Sequence, residues 1–309
     1  VKTLFVMDPL DRLNLAGDST YALMLEATAR GWPVWWCTPA DLRVVHQRAR
    51  VHARSVVSRL GPDPFEQGDR EDLDLGSFDA VWMRKDPPFD MDYVFSTYIL
   101  DLVTDTTLVV NDPRTVKCAN EKMYALQWPE LCPETLVTNR VADVIAFATE
   151  HGRIVLKPWD GNGGRGVLVT AHGDRNLRSM AEILTEEGRA YAMVQRYLPE
   201  IAQGDKRILL IDGVPRGWFS RVPGTDDHRG NMHVGAGVVA FDLSERDRAI
   251  CDALAPRLKE EGLLFVGIDI IGEHLTEINV TSPTGIWEVR ELMQRDLAPE
   301  LLDAAQAAR

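Results

Sequence analysis

The chain has 309 residues, 45% hydrophobic and 26% charged, which is enough apolar content to bury two or three modest cores. Its formal net charge of −13 excludes nucleic acid and anionic membrane as principal partners, but local basic groups can still hold small anions. The scattered cysteines (Cys37, Cys118, Cys132, Cys251) show no CxxC spacing and read as reduced thiols of a cytoplasmic protein.

Thr3–Met7 reads as a buried strand, too short for the apolar core of a signal peptide, and no apolar run is long enough to span a membrane. Asp18, Ser19 and Thr20 offer capping oxygens to an apolar helix over 21–29, stopped by Gly31, and PVWWC at 33–37 is the next strand. This βαβ opening makes an open parallel sheet the default, and the lack of a GxGxxG after the first strand counts against a dinucleotide fold. RARVHAR at 48–54 alternates Arg48, Arg50, His52 and Arg54 against small or apolar residues. In so acidic a chain this is the wet face of a surface strand rather than a phosphate stripe. FDAVWM at 78–83 is another buried strand, ending in Arg84-Lys85-Asp86-Pro87-Pro88. Open α/β sheets bind ligands beyond the carboxyl ends of their strands, so the basic pair reads as an anion-binding corner. Arg84, with its planar guanidinium, suits a carboxylate. A helix over 92–102 and a strand at Leu108–Val110 complete this part.

Asn120-Glu121-Lys122 opens a helix, and another follows over 141–150. The strand at 154–157 then enters Pro158-Trp159-Asp160-Gly161-Asn162-Gly163-Gly164-Arg165-Gly166, and the chain resumes as a strand over 167–170. Glycines allow the positive φ angles and close backbone approach of a phosphate cradle. Walker and Rossmann loops lead into helices, whereas this loop joins two strands: it is a hairpin flap with Lys157 at its base. A lysine in an apolar strand needs an anion, and a nucleotide phosphate meets that need. A helix near 176–187 and a strand at 190–195 lead to Gln195-Arg196-Tyr197-Leu198-Pro199, a hinge where backbone groups would meet an adenine.

Asp205-Lys206-Arg207 enters a strand over 208–211, Asp212-Gly213 turns it, and a strand over 216–222 carries Arg221. The polar, glycine-rich segment 223–237 reads as a lid, with Arg229-Gly230-Asn231 its ligand-touching part. A capping-box start at Ser244 opens a helix to about 260 with Pro256 as a kink, and an amphipathic helix over 297–308 closes the chain. No HExxH and no Ser-His-Asp order is present.

Between these helices, FVGIDIIGEHLTEINVTSPT at 265–284 reads as a hairpin. A loop of Gly272, Glu273 and His274 would pair Ile271 with Leu275 and set Asp269 opposite Glu277. Ile268, Ile270, Ile278 and Val280 then share the core face, and Asp269, Glu277 and Asn279 the other. Opposed carboxylates repel, and a divalent cation removes that penalty. An all-oxygen trio suits Mg²⁺, with Mn²⁺ as the alternative.

Together these stretches resemble the ATP-grasp ligases, and specifically the bacterial glutathione synthetase family. The resemblance rests on MDPL at 7–10, MRKDPPFD at 83–90, NEK at 120–122, PETLVT at 133–138 and LKPWDGNGG at 156–164. It continues through YLP at 197–199, GDKR at 204–207, RGN at 229–231 and VGIDIIGEHLTEINVTSPT at 266–284. It implies an α/β (α+β) ATP-grasp fold: an N-terminal open parallel-sheet domain over 1–118, a central domain with the flap over 119–198, and a C-terminal domain over 199–309. The last two would clasp ATP. Lys122, Lys157, Gly161, Asn162, Gly163, Gly164, Gln195, Tyr197 and Leu198 would bind the nucleotide, and Asp269, Glu277 and Asn279 the metal. Arg207, Arg221 and Arg229 would be catalytic, joined by Arg84 and Asn231 in binding the peptide or its acyl phosphate. The implied reaction joins γ-glutamylcysteine to glycine in a cytoplasmic homo-oligomer, a dimer or tetramer.

Three stretches depart from the family pattern. Gly285-Ile286-Trp287-Glu288 stands for Cys-Ile-Arg-Glu, Gly235-Ala236-Gly237-Val238-Val239 for Gly-Gly-Arg-Gly-Glu, and Arg165 for a small residue. They raise two alternatives: a related ligase with another amine or carboxylate substrate, and a nucleotide-binding protein without chemistry.

Overall fold

The computed structural model describes residues 1–159, 163–223 and 237–309, and among these the strands sort into three sheets. In the first, β1 (Thr3–Met7) is wholly buried and leads to α1 (Ser19–Ala29), whose first turn is capped by Asp18 accepting from the Tyr21 N–H at 2.8 Å. β2 (Val34–Cys37), β3 (Leu42–Val45), β4 (Arg48–Ser58), β5 (Phe65–Asp74) and β6 (Ala80–Arg84) follow. α2 (Met91–Asp101) then carries the chain to β7 (Leu108–Val110). The expected parallel sheet covers only β2, β1, β6 and β7; β3, β4 and β5 add an antiparallel wing. The reason is the link from β3 to β4, two residues (His46 and Gln47, φ 48° and 62°) that can close a hairpin but not a crossover. On β4 the alternation sorts as expected: Ala49, Val51 and Ala53 are buried, while Arg50 pairs with Asp72 at 2.9 Å.

α3 (Pro113–Val116) and α4 (Glu121–Ala125) lead to the second sheet. It is built from β8 (Thr135–Thr138), β9 (Arg153–Pro158), β10 (Leu168–Ala171) and β11 (Ala192–Arg196), all antiparallel in the order β10-β9-β11-β8. α5 (Val141–His151) and α6 (Leu177–Leu184) cover one face. α6 stops before the expected 187 because Glu186 and Glu187 take positive φ (47° and 57°).

The third sheet has the order β14-β13-β12-β15-β16. Its strands are β12 (Asp205–Ile211), β13 (Val214–Val222), β14 (Gly237–Val239), β15 (Phe265–Ile271) and β16 (His274–Asn279). Asp212 and Gly213 (φ 49° and 68°) make the two-residue turn that the sequence suggests. α7 (Glu245–Glu260) starts on the Ser244–Asp247 capping box, and α8 (Ile286–Met293) and α9 (Leu297–Ala307) finish the chain.

The packing groups these sheets unequally. Phe5 and Trp82 of the first sheet and Leu23 of α1 share one core with Leu209 and Phe219 of the third sheet, Ile286 of α8 and Leu301 of α9. Each such side chain contributes about 1.5–3 kcal/mol on burial, so the two sheets are stabilised together. The second sheet keeps its own core of Val144, Ala148, Ile154, Leu156, Leu177, Ala181 and Val194. Asn111 adds a polar stitch at the shared boundary, donating to the Phe265 and Val280 carbonyls at 2.8 Å and accepting from the Phe265 N–H at 2.9 Å. No helix among the described residues is long and apolar enough to cross a membrane.

Candidate active site

The β15–β16 hairpin places Asp269 opposite Glu277, by a different route from the expected loop. Ile271 pairs with His274 and Ile270 with Leu275, so the turn is Gly272-Glu273 alone, with Gly272 at φ 59°. A bulge beside Asp269 then takes up Thr276, whose hydroxyl donates to the Asp269 carbonyl at 3.1 Å, and the register is restored. Ile268, Ile270, Ile278 and Val280 are all buried in the core.

Neighbouring strands bring cations to the opposite face. Arg207 on β12 is in register with Asp269 and donates from Nε and Nη2 to its two oxygens, at 2.5 and 3.0 Å. Arg221 on β13 is in register with Asp205, contacts its Oδ2 at 2.5 Å, and reaches Asp269 at 3.1 Å. Burial would raise the Asp269 carboxyl, but the two guanidiniums outweigh it and hold the group below the usual carboxylate range. At Asp205 burial wins, against Arg221, and raises the carboxyl to about 7; Arg221 is shared with Asp269, and Asp205 Oδ1 has no hydrogen-bond partner among the described residues. Asn279 Nδ2 lies 3.3 Å from Asp269 Oδ2.

The lysines approach from the other side. Lys122, in the first turn of α4, sits 3.2 Å from Glu277 Oε1. Lys157, on β9, is drawn down by burial, with the Glu277 charge opposing and Lys122 adding to the depression. Glu121 anchors α4 to the end of the hairpin, its Oε1 accepting from Val280 N–H and Thr281 N–H at 3.2 Å and from the Thr281 hydroxyl at 2.7 Å. Burial, then the Glu277 charge, raises its carboxyl.

Five of these groups, Glu121, Arg207, Arg221, Glu277 and Asn279, border a cleft of about 740 Å³ to which all three domains contribute. Arg207, Arg221, Glu277 and Asn279 line its floor, Gly163 and Arg165 come from the flap, and Asp8, Arg12, Asp18 and Lys85 from the first domain. Gly163 and Gly164 take φ of 59° and 73°, as a backbone cradle requires. Arg84 lies beneath the cleft: it is buried, and donates to Thr20 Oγ1 at 3.2 Å and to the Pro283 carbonyl at 2.9 Å. The partly exposed cation at that corner is Lys85, paired with Asp8 at 3.2 Å.

Gln195, Tyr197 and Leu198 connect the second sheet to the third. Gln195 Nε2 donates to Thr135 Oγ1 at 3.0 Å, the Arg153 guanidinium lies 3.8 Å from the Tyr197 ring, and Leu198 is buried. Gly161, Asn162, Arg229 and Asn231, with Gly235 and Ala236 of the altered lid, lie outside the described residues.

Gly285 and Trp287 make their contacts outside the cleft, whereas Arg165 lines it. Trp287 Nε1 donates to the Asp18 carbonyl at 2.8 Å, and its ring stacks on Tyr21 with centroids 6.2 Å apart. Gly285 faces Phe219. Glu288 does line the cleft; burial raises its carboxyl, and its Oε2 has no partner among the described residues. Asp205, Glu121 and Glu288 are among the members of the site to which the sequence assigned no role. Only Asp205 carried a signal, sitting two residues before Arg207 and so on the same strand face.

Asp269, Glu277 and Asn279 form a hard, all-oxygen donor set with two charges, which fits a Mg²⁺ ion that shares its coordination with phosphate and water. Among the described residues no cluster of three His, Cys, Asp or Glu side chains offers a competing metal site.

Residues 1–117 match the family model of the prokaryotic glutathione synthetase N-terminal domain, and residues 121–294 that of its ATP-grasp domain. The glutathione synthetase of Gloeobacter violaceus is 46% identical over 310 residues, spanning 98% of this chain and 96% of the relative. That of Agrobacterium fabrum is 43% identical over 304 residues, spanning 98% and 95%. Among solved structures, D-cycloserine synthetase DcsG has a TM-score of 0.68 at 18% identity, over 99% of this chain and 100% of that one. The ATP-grasp ligase PsnB, complexed with a minimal precursor, has a TM-score of 0.64 at 20% identity, over 100% and 99%. At such identities the structural likeness speaks for the fold alone.

Proposed function

The chain belongs to the prokaryotic glutathione synthetase family and has the ATP-grasp fold, and from that premise we propose how its cleft makes the bond. It is an ATP-dependent ligase of glutathione synthesis, forming a C–N bond. We assign γ-glutamylcysteine as the carboxylate substrate and glycine as the amine.

A carboxylate is a poor electrophile, so its oxygen first attacks the γ-phosphorus of ATP and ADP leaves. The glycine amine then attacks the carbonyl carbon of the acyl phosphate, and inorganic phosphate departs with the original carboxylate oxygen. Lys122 and Lys157 bind the nucleotide phosphates; for Lys157 this supplies the anion that its burial demands. Arg207 and Arg221, held in place by Asp269 and Asp205, face the charge that spreads over the transferring oxygens. Asp269, Glu277 and Asn279 would hold Mg²⁺, which when bound neutralises phosphate charge. Gly163 and Gly164, with Gly161 and Asn162, supply the backbone cradle, and Gln195, Tyr197 and Leu198 the adenine contacts. Arg229 and Asn231 complete the peptide site from the lid. Arg84 acts as a positioning residue through Pro283, leaving the carboxylate corner to Lys85 and Arg12. The central module, with its own core, is the part that closes over the nucleotide and keeps water from the acyl phosphate.

The observation that carries this reading is the convergence of Arg207, Arg221, Lys122 and Lys157 on one acidic sheet face. Phosphate release from ATP, measured with γ-glutamylcysteine and glycine separately and together, tests it. Release that requires both supports it. Release with another amine and none with glycine would reassign the acceptor, and no release with any amine would overturn the chemistry.

A further inference from the structure

Amide formation needs an acceptor for protons as well as a phosphoryl donor. Free glycine is an ammonium at neutral pH and has no lone pair with which to attack a carbonyl carbon. The cleft is lined by the carboxylates of Asp8, Asp18, Asp86, Glu121, Glu277 and Glu288. Asp8 pairs with Lys85 at 3.2 Å, and Asp18 accepts from the Tyr21 N–H at 2.8 Å. Glu121 holds the Thr281 hydroxyl at 2.7 Å, Glu277 lies 3.2 Å from Lys122, and Asp86 is exposed to water. Glu288 differs from all of these. It is partly buried, and its Oε2 is out of solvent with no hydrogen-bond partner among the described residues. A buried carboxylate oxygen without a donor is costly, and a ligand N–H removes that cost.

The surroundings of Glu288 put it at the reacting end of the cleft. α8 begins after Gly285, whose N–H donates to Ser19 Oγ at 3.2 Å, and the preceding Thr284 carbonyl accepts from Arg207 at 3.3 Å. Glu288 follows in the first turn of that helix. Its Oε1 faces the loop before α1, 3.9 Å from where a Cβ on Gly17 would lie, and Asp18 lines the cleft from the same side. The charges that act on it are Arg207 of β12, Arg221 of β13 and Glu291 of its own helix. Burial raises its carboxyl, Glu291 adds to the rise, and the two arginines oppose it. Those arginines are the ones that face the transferring phosphoryl oxygens, so Glu288 and the acyl phosphate lie in one electrostatic neighbourhood.

We propose that Glu288 is the general base that takes a proton from the glycine ammonium, a role that rests on the acyl-phosphate reading of the cleft. One N–H bond of the ammonium breaks toward Glu288 Oε2, and the freed lone pair forms the C–N bond. The C–O bond to the phosphoryl group then breaks with its electron pair on oxygen, and the departing phosphate carries away the second ammonium proton. Glu288 returns its own proton to water as product leaves. A carboxylate made more basic by burial suits this transfer better than one in water.

Methoxyamine separates the proton from the phosphate, because it is so weak a base that it stays unprotonated and nucleophilic throughout the assay range. Phosphate release is measured on the full chain with ATP, Mg²⁺ and γ-glutamylcysteine, and with either glycine or methoxyamine as acceptor. Glu288→Gln should lower the glycine-dependent rate by about 10²–10⁴-fold and leave the methoxyamine-dependent rate near that of the wild type. Because the variant could fail to fold, the wild type is also followed across pH. Its glycine-dependent kcat should fall as acid protonates Glu288, while its methoxyamine-dependent kcat should show no such fall. An unchanged glycine rate in the variant, an equal loss with both amines in a folded variant, or a wild-type acidic limb shared by both amines or absent from both would overturn the proposal. A wild type that turns over with neither amine would instead overturn the ligase reading beneath it.

Discussion

Gly285 lies just past the β15–β16 hairpin, and placing a side chain there should be costly. The residue caps α8 with φ 131° and ψ 4°, a conformation that disfavours any L side chain by about 1–2 kcal/mol. A Cβ would lie 2.7 Å from Phe219 Cε1, 3.0 Å from its Cζ and 3.2 Å from Leu209 Cδ1. Both neighbours are fully buried and cannot swing into solvent, so overpacking adds about 1–3 kcal/mol. Gly285→Ala should therefore lose about 2–5 kcal/mol, a fall in Tm of roughly 3–8 °C for a protein of this size. The damage should reach the site. The Gly285 and Ile286 N–H groups both donate to Ser19 Oγ at 3.2 Å, and the preceding Thr284 carbonyl accepts from Arg207 at 3.3 Å. A shift of Arg207 by about an ångström would lower kcat about 100-fold. Gly285→Cys should be worse. Differential scanning fluorimetry and steady-state phosphate release measure both effects, and an unchanged Tm with unchanged kcat would refute the reasoning.

Glu277→Gln should lower turnover by about 10³-fold with little change in Tm, whereas Asp269→Asn should also lose about 3 kcal/mol of stability by uncoupling Arg207 and Arg221. Wild-type turnover in either would remove the metal assignment. Burial raises the Asp205 carboxyl to about 7 from an ordinary 3.8, so between those pH values the folded chain holds a proton that the unfolded chain has lost. Stability from this group therefore falls as pH rises through that window, and Asp205→Asn should flatten the slope in urea denaturation across pH; an unaltered slope would exclude Asp205 as its source. Lys157→Ala should weaken ATP binding by about 10–100-fold in calorimetry, and equal affinity would separate Lys157 from the phosphates.

Local periodicity carries far in this chain. The alternation in 265–284 sorts Ile268, Ile270, Ile278 and Val280 from Asp269, Glu277 and Asn279, and the capping oxygens of Asp18 and Ser244 start their helices where expected. The turn beside Glu273 was misjudged by one residue, because a bulge at Thr276 compensates a shorter loop and leaves the paired carboxylates unchanged. The antiparallel wing was hidden because His46-Gln47 carries no glycine to announce a turn of positive φ. Contacts across the chain were beyond reach. That Arg84 serves Pro283, 199 residues away, or that Asp205 competes with Asp269 for Arg221, follows from the juxtaposition of domains rather than from any local pattern. The same holds for the shared core of the first and third sheets, which joins residues as distant as Phe5 and Leu301.

The central claim is that this cleft activates a carboxylate as an acyl phosphate before the amine attacks. Supplying γ-glutamylcysteine with ¹⁸O in its cysteinyl carboxylate, together with ATP, Mg²⁺ and glycine, follows that oxygen directly. Phosphate bearing one ¹⁸O per glutathione formed is the predicted result, since the attacking oxygen leaves with the phosphoryl group. Glutathione formed alongside unlabelled phosphate would contradict the account.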